Sequence, residues 1–178
     1  MNIFVLCTGR CGSTTFAKAC GHIRNFTAEH ESRCGLIGDD RFMYPDSHIE
    51  VDNRLSWLLG RLDKKFGDSA FYVHLKRDRL KVAESFTKRY SKGIIKAYRG
   101  SGIMMGLSEE ADPMLVSLDY CETVDSNIEL FLNNKVNKME FHLESHRADF
   151  SRFWERIGAE GDFEKAISEF SIAHNASR

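Results

Sequence analysis

The chain has 178 residues, a formal net charge of −1 and an ordinary globular composition, with 42 % hydrophobic residues, 29 % charged residues and two prolines. This length predicts a single domain spanning residues 1–178, and the composition excludes disordered and low-complexity classes. No apolar run approaches the roughly 20 residues of a transmembrane helix, so we expect no membrane span.

The cysteines and the start of the chain favour a reduced, cytoplasmic protein. The five cysteines are odd in number and form no C-x-x-C pair, which argues against a disulfide framework and against a zinc site. Met1 runs directly into an apolar segment without a basic leader, so we do not expect secretion. Together these features predict a cytoplasmic location.

Along the chain, short apolar segments alternate with segments of helical period. Strands are predicted at Asn2–Cys7, Asn25–Ser32, Ala70–Leu75 and Lys138–Leu143. Helices are predicted at Ser13–His22, Asp46–Phe66, Arg79–Tyr90, Pro113–Leu132, Ala148–Ile157 and Asp162–Phe170. Ser91–Asp112, which contains four glycines, is predicted to be a long loop, and Asp112 is predicted to cap the helix that begins at Pro113.

This alternation predicts a central parallel sheet covered by helices on both faces. The C-terminal ends of the strands then lie along one edge, where ligands bind in such folds. The segment Leu75–Gly100 carries nine Lys and Arg residues against two acidic ones. In a nearly neutral protein this excess indicates a local polyanion site, such as a pocket for nucleotide phosphates, rather than a nucleic-acid groove. A solvated helix face remains the alternative.

The first strand is followed by a glycine-containing turn and a helix, in the sequence Cys-Thr-Gly-Arg-Cys-Gly-Ser-Thr-Thr from residue 7. A helix that begins near Gly12 directs unpaired N–H groups and its positive dipole end into the turn. The hydroxyl groups that follow Gly12 and the guanidinium group of Arg10 add donors and charge. This turn therefore predicts a site for an anionic group.

Two other anion chemistries fit this turn poorly. A nucleoside-triphosphate loop has Lys directly after its last glycine, whereas this chain has Ser13 there. A low-molecular-weight tyrosine phosphatase needs Arg six positions after its nucleophilic cysteine, but the count ends at Ser13 from Cys7 and at Ala17 from Cys11. We expect Cys11 to be a packed, inert thiol. The turn resembles instead the 5′-phosphosulfate loop of sulfotransferases, a basic residue followed by x-G-[ST]-[ST].

A second motif lies after the strand Ala70–Leu75. Arg77 stands at the exit of the strand, and Ser85 lies eight residues later on the next helix, where it can face back toward that exit. This pair resembles the 3′-phosphate motif of the same family, and Arg77-Asp78-Arg79 resembles its R-[DN]-P run with Arg79 in place of proline. The chain is thus similar to short bacterial sulfotransferases.

The resemblance implies a P-loop NTPase-like sulfotransferase fold of three α/β/α layers and 3′-phosphoadenosine 5′-phosphosulfate (PAPS) as sulfo donor, with no metal required. It implies Arg10 as the catalytic cation and Glu31 as the base, with Glu29 as second choice, on the likeness of Glu31-Ser-Arg33 to an E-T-R run. We expect Glu29 and Glu31 to share one strand face and His30 to take the other. The implied cofactor-binding residues are Gly9, Arg10, Cys11, Gly12, Ser13, Thr14, Thr15, Arg77 and Ser85.

The acceptor is left open among small molecules, carbohydrates, lipids and peptides, and the sequence gives no oligomeric state. Two other functions also stay open. One is a phosphotransferase or nucleotide hydrolase on the same scaffold, and the other is a nucleotide-binding module without catalysis.

Overall fold

Five short parallel strands form the centre of the computed structural model, which describes residues 1–172 and 174. The strands lie in the order β2-β3-β1-β4-β5, and each neighbouring pair is parallel. They are β1 (Ile3–Leu6), β2 (Thr27–His30), β3 (His48–Val51), β4 (Phe71–Lys76) and β5 (Lys138–His142). The almost entirely buried apolar run of β1 explains its central place, since a strand covered on both faces needs apolar side chains on both.

Helices cover both faces of this sheet. They are α1 (Ser13–Cys20), α2 (Leu59–Phe66), α3 (Arg79–Thr87), α4 (Gly93–Ala97), α5 (Pro113–Leu132), α6 (His146–Ile157) and α7 (Phe163–Ser168). Within the described ranges, no helix combines the length and apolar character that crossing a bilayer would demand.

An aromatic cluster fills each of the two layers between sheet and helices. On one face, Phe16 of α1 packs edge-on against Phe141 of β5 with ring centroids 4.9 Å apart. On the other face, Phe4 of β1 contacts Phe66 of α2 at 4.6 Å. Such rings bury large areas and favour tilted or edge-on packing. The predicted three-layer α/β/α fold is confirmed.

The predicted helix over Asp46–Phe66 is wrong in its first half. His48–Val51 forms β3 beside β1, a 3-10 turn follows over Asn53–Trp57, and only Leu59–Phe66 is α-helical. The helical spacing of apolar residues began at Val51, which belongs to the strand. Both edges of β1 need a parallel partner, and the branched side chains of Ile49 and Val51 fill the layer beside β1.

The predicted loop over Ser91–Asp112 is also partly wrong, because it contains α4 and a π-type turn over Tyr98–Gly102. Tyr98 is buried and its hydroxyl donates to Asp119 of α5, which anchors this segment to the body of the protein. The predicted helix start is confirmed: Asp112 Oδ1 accepts a hydrogen bond of 2.7 Å from the Met114 N–H, and Pro113 is the first helical residue.

The strand order fixes where a ligand can bind. The chain leaves β1 toward β2 and β3 on one side, whereas β4 lies on the other side of β1 and leads to β5. The loops after β1 and β4 therefore diverge, and a crevice opens between them at the C-terminal edge of the sheet. In open α/β sheets this switch point is the usual ligand site.

Candidate functional site

A cavity of about 430 Å³ lies at this edge of the sheet. Residues that follow every one of the five strands contribute to its wall, together with α3, α4 and the segment after α7. Its described lining comprises Gly9, Arg10, Gly12–Thr15, His30, Glu31, Asn53, Arg54, Arg77, Phe86, Arg89, Lys92, Gly93, Ile94, Leu143, His146, Phe170, Ile172 and His174. The cavity lies where the sheet topology places a ligand.

The loop after β1 has the backbone that anion binding needs. Gly9, Arg10 and Gly12 have φ angles of +83°, +58° and +91°, so the chain turns tightly before α1 begins at Ser13. The hydroxyl-bearing residues Ser13–Thr15 occupy the first turn of α1 and line the cavity. Their unpaired N–H groups and the positive end of the helix favour an anion at this position.

The two motifs found in the sequence contact each other directly. Arg10 Nε donates a hydrogen bond of 3.0 Å to Ser85 Oγ, 75 positions along the chain. Arg77 Nη1 donates one of 3.1 Å to the carbonyl oxygen of Arg10. The loop after β1 and the strand–helix unit of β4 and α3 are therefore joined into one structure, with both guanidinium groups at the same cavity.

The cavity wall is strongly basic. Among the lining residues that the structure describes, five are Lys or Arg and one is acidic, Glu31. Burial, and then the positive charges of Arg89 and Arg77, lower the pKa of Arg10. Cations held this close together favour a ligand with several negative charges, whose binding relieves their mutual repulsion. The basic segment Leu75–Gly100 supplies three of the five cations: Arg77, Arg89 and Lys92.

The structure separates the two predicted carboxylates. The expectation that Glu29 and Glu31 share a face is wrong, because β2 ends at His30 and Glu31 has a left-handed φ of +53°. His30 and Glu31 both line the cavity, whereas Glu29 lies near His48 and Glu50 on β3. Glu31 Oε2 pairs with Arg54 Nη1 at 2.6 Å, and His30 Nε2 lies 3.1 Å from Ser13 Oγ.

Comparisons with known proteins show the fold. No family model matches the chain, and no curated protein matches its sequence. A solved structure does match: a sulfotransferase domain from the curacin biosynthetic pathway, with a TM-score of 0.65 and 13 % identity over 90 % of this chain and 74 % of that one. The chain has the sulfotransferase fold. At this identity the likeness concerns the architecture alone.

In this sulfotransferase fold, Cys11 does not present its thiol to the cavity. Its side chain is 1 % exposed within the apolar core. A hydrogen bond with Cys11, together with burial, raises the pKa of the neighbouring Cys7 well above its usual range. Both thiols are buried below the loop, so neither sulfur atom is placed to contact a ligand in the cavity. In a ligand site, Cys11 has only its backbone to offer.

Several lining residues were missed in the sequence. Asn53 and Arg54 follow β3 and were hidden by the false helix prediction, although a polar pair after a buried strand would have indicated them. The wall contributed by Leu143, His146 and Phe170 comes from the C-terminal part of the chain, and the Phe170 ring stacks on His146 at 5.0 Å and 17°. No local pattern marks these residues, because only the fold brings them to the loop after β1.

Gly9 is the most constrained position of the loop, and we expect Gly9→Ala to weaken the binding of an anionic ligand there by roughly tenfold or more. A Cβ atom there would lie 2.6 Å from Asn53 Nδ2, and the φ of +83° is strained for any L-residue. Gly60 of α2 is the matched control, because it has an ordinary φ and open space around its Cα. Gly60→Ala should leave binding unchanged and stabilise the fold by about 0.5–1 kcal/mol. Calorimetric titration with adenosine 3′,5′-bisphosphate, and thermal unfolding, measure both effects.

Proposed function

We propose that this protein is a sulfotransferase that moves a sulfo group from PAPS to a hydroxyl or amine acceptor. The observation that carries the proposal is that the loop after β1 and Arg77 line one cavity, with Arg77 bonded to the Arg10 carbonyl and Arg10 bonded to Ser85. The sulfotransferase fold supports it. We place the reaction in the cytoplasm, since all five cysteines, each within the described range, are free.

The charges of the cavity suit this donor. A phosphate monoester carries about −1.5 to −2 at neutral pH, and the phosphosulfate group adds two further negative charges. Five Lys and Arg residues with Glu31 give the described lining a formal charge of +4 when histidines are neutral. The loop Gly9–Thr15 would hold the phosphosulfate end, and Arg77 with Ser85 would hold the 3′-phosphate. The aromatic pair His146–Phe170 offers the adenine a stacking surface.

The reaction needs a cation and a base. The bond between sulfur and the bridging oxygen breaks, a bond between sulfur and the acceptor atom forms, and the acceptor proton passes to a base. Negative charge grows on the departing oxygen, where Arg10 and the N–H groups of α1 would stabilise it. Glu31 is our choice of base because its carboxylate lines the cavity, with Arg54 fixing one oxygen at 2.6 Å.

Ligand-induced stabilisation tests the proposal. Adenosine 3′,5′-bisphosphate at 100 times its Kd should stabilise the protein by about 2.7 kcal/mol, which for a chain of this size raises Tm by roughly 5–10 °C. Adenosine 5′-phosphate, which lacks the 3′-group, should give a much smaller shift. A transfer screen with labelled PAPS across carbohydrate, lipid, phenol and peptide acceptors then tests catalysis. No shift at millimolar bisphosphate, or Mg²⁺-dependent turnover of ATP or GTP, would contradict the proposal.

A further inference from the structure

The strand β3 carries a buried polar face. His48 and Glu50 of β3, and Asp52 directly after the strand, alternate with apolar residues, and they are only 2 %, 0 % and 0 % exposed. We call these three residues the polar face of β3. Burying carboxylates is unfavourable unless each of them is hydrogen-bonded or paired with a charge. The partners of the polar face therefore show what it holds in place.

Glu50 holds the residue that follows Glu31. Its Oε1 accepts a hydrogen bond of 2.8 Å from the Ser32 N–H, and its Oε2 accepts one of 2.6 Å from the Ser32 hydroxyl. His48 Nε2 lies 3.0 Å from the same Oε2, and His48 Nδ1 lies 2.7 Å from Thr27 Oγ1. Glu50 thereby clamps the end of β2 to β3.

The same hydrogen bonds involve two members of a cluster of possible metal ligands, Glu29, His48 and Glu50. Its possible metal-ligating atoms lie within 4.8 Å of one another. However, both ring nitrogens of His48 and both carboxylate oxygens of Glu50 already have protein partners. The geometry fits a satisfied hydrogen-bond network rather than a cation site.

Glu31 itself has a conformation that needs such support. Its φ of +53° lies in the left-handed region, which residues other than glycine rarely adopt unless their surroundings enforce it. The Glu31 N–H donates to the Val51 carbonyl at 3.1 Å, and the next N–H, of Ser32, donates to Glu50. Two consecutive backbone N–H groups thus donate to β3, and they fix the left-handed backbone of Glu31 that directs its side chain to the cavity.

Asp52 provides a second support from the same face. Its Oδ1 accepts a hydrogen bond of 2.7 Å from the Arg54 N–H, and its Oδ2 pairs with the buried Arg41. Arg54 in turn pairs with Glu31. The backbone of Glu31 is therefore fixed through Glu50, and its carboxylate is fixed through Asp52 and Arg54.

We propose that Glu50 is a positioning residue, which holds Ser32 and thereby the left-handed backbone of Glu31, so that the Glu31 carboxylate faces the cavity. This inference rests on the proposed function in one respect, the role of Glu31 as base. Since a misplacement of about 1 Å can cost roughly a hundredfold in rate, loss of this clamp should lower turnover without weakening nucleotide binding.

The test replaces Glu50 by glutamine, which keeps the size of the side chain but removes its charge and one acceptor oxygen. For Glu50→Gln we expect kcat of sulfo transfer to fall by about 10- to 100-fold, while the Kd for adenosine 3′,5′-bisphosphate stays within twofold. Amide hydrogen exchange should become faster at residues 31–34 and stay unchanged at residues 12–16. Ser32→Ala, a change at an exposed residue that leaves Glu50 intact, should have the same effects to a smaller degree.

Asp149→Asn is the matched control. Asp149 is also a buried carboxylate, and it accepts a backbone N–H from His142 at 2.7 Å and a hydroxyl from Ser145 at 3.0 Å, besides pairing with Arg152 at 2.5 Å. The Asp149→Asn variant should lose about as much stability as Glu50→Gln. Its kcat should stay within about threefold of the wild type, as expected for the loss of a hydrogen bond away from Glu31.

Unchanged kcat and unchanged exchange at residues 31–34 in folded Glu50→Gln would overturn the proposal. Should the wild-type protein neither bind the bisphosphate nor transfer sulfo groups, the proposed function fails instead. In that case the exchange rates alone decide whether Glu50 holds the turn.

Discussion

Replacing Glu31 with glutamine is expected to lower the rate of sulfo transfer by roughly 10²- to 10⁴-fold, the usual contribution of a general base. The side chain lines the cavity, and Arg54 holds one of its oxygens at 2.6 Å, which leaves the other for the acceptor proton. Glutamine keeps the shape but cannot take up a proton. The affinity for adenosine 3′,5′-bisphosphate should stay within about twofold, so the loss should appear in kcat.

His30 is the second candidate for the base beside Glu31. It also lines the cavity, and its Nε2 lies 3.1 Å from Ser13 Oγ, so it is close enough to the phosphate loop to compete for the role of base. His30→Gln should reduce kcat by less than tenfold if Glu31 is the base. A large loss in His30→Gln together with near-normal turnover in Glu31→Gln would transfer the role to His30.

Arg77→Ala is expected to weaken binding of adenosine 3′,5′-bisphosphate by roughly 30- to 3,000-fold. Truncating one member of a buried charge pair costs about 2–5 kcal/mol, and each 1.4 kcal/mol is a factor of ten. The variant would lose the cation proposed for the 3′-phosphate and also the hydrogen bond to the Arg10 carbonyl. Arg77→Lys keeps the positive charge but loses the forked donors of the guanidinium group. Its affinity for the bisphosphate should therefore lie between those of the wild type and Arg77→Ala. Calorimetric titration measures all three proteins.

Arg79 provides the control for charge alone. It lies two residues after Arg77 in the same basic segment, but its partly exposed guanidinium group pairs with Glu122 of α5. Exposed ion pairs contribute about 0–1 kcal/mol to stability, so Arg79→Ala should bind the bisphosphate within twofold of the wild type. Equal losses in both variants would indicate that long-range charge, rather than a pocket at Arg77, attracts the nucleotide.

The local parts of the site were predictable because each depends on neighbouring residues. An apolar strand, a turn with Gly9 and Gly12 and hydroxyl residues at the helix start favour, from local sequence alone, a loop with the backbone suited to an anion. Arg77 and Ser85 are likewise related by one strand exit and slightly less than two helical turns. The alternation of such units also predicted the parallel sheet and therefore the edge at which both motifs meet.

The tertiary structure decided what depends on distant partners. His48–Val51 became a strand because β1 offered a second edge, and its polar face is stable only since Ser32, Thr27 and Arg41 satisfy it. That pairing ended β2 at His30, turned Glu31 into the cavity and left Glu29 outside it. A period of apolar residues cannot report such pairings, because their energy comes from contacts between segments that the sequence keeps apart.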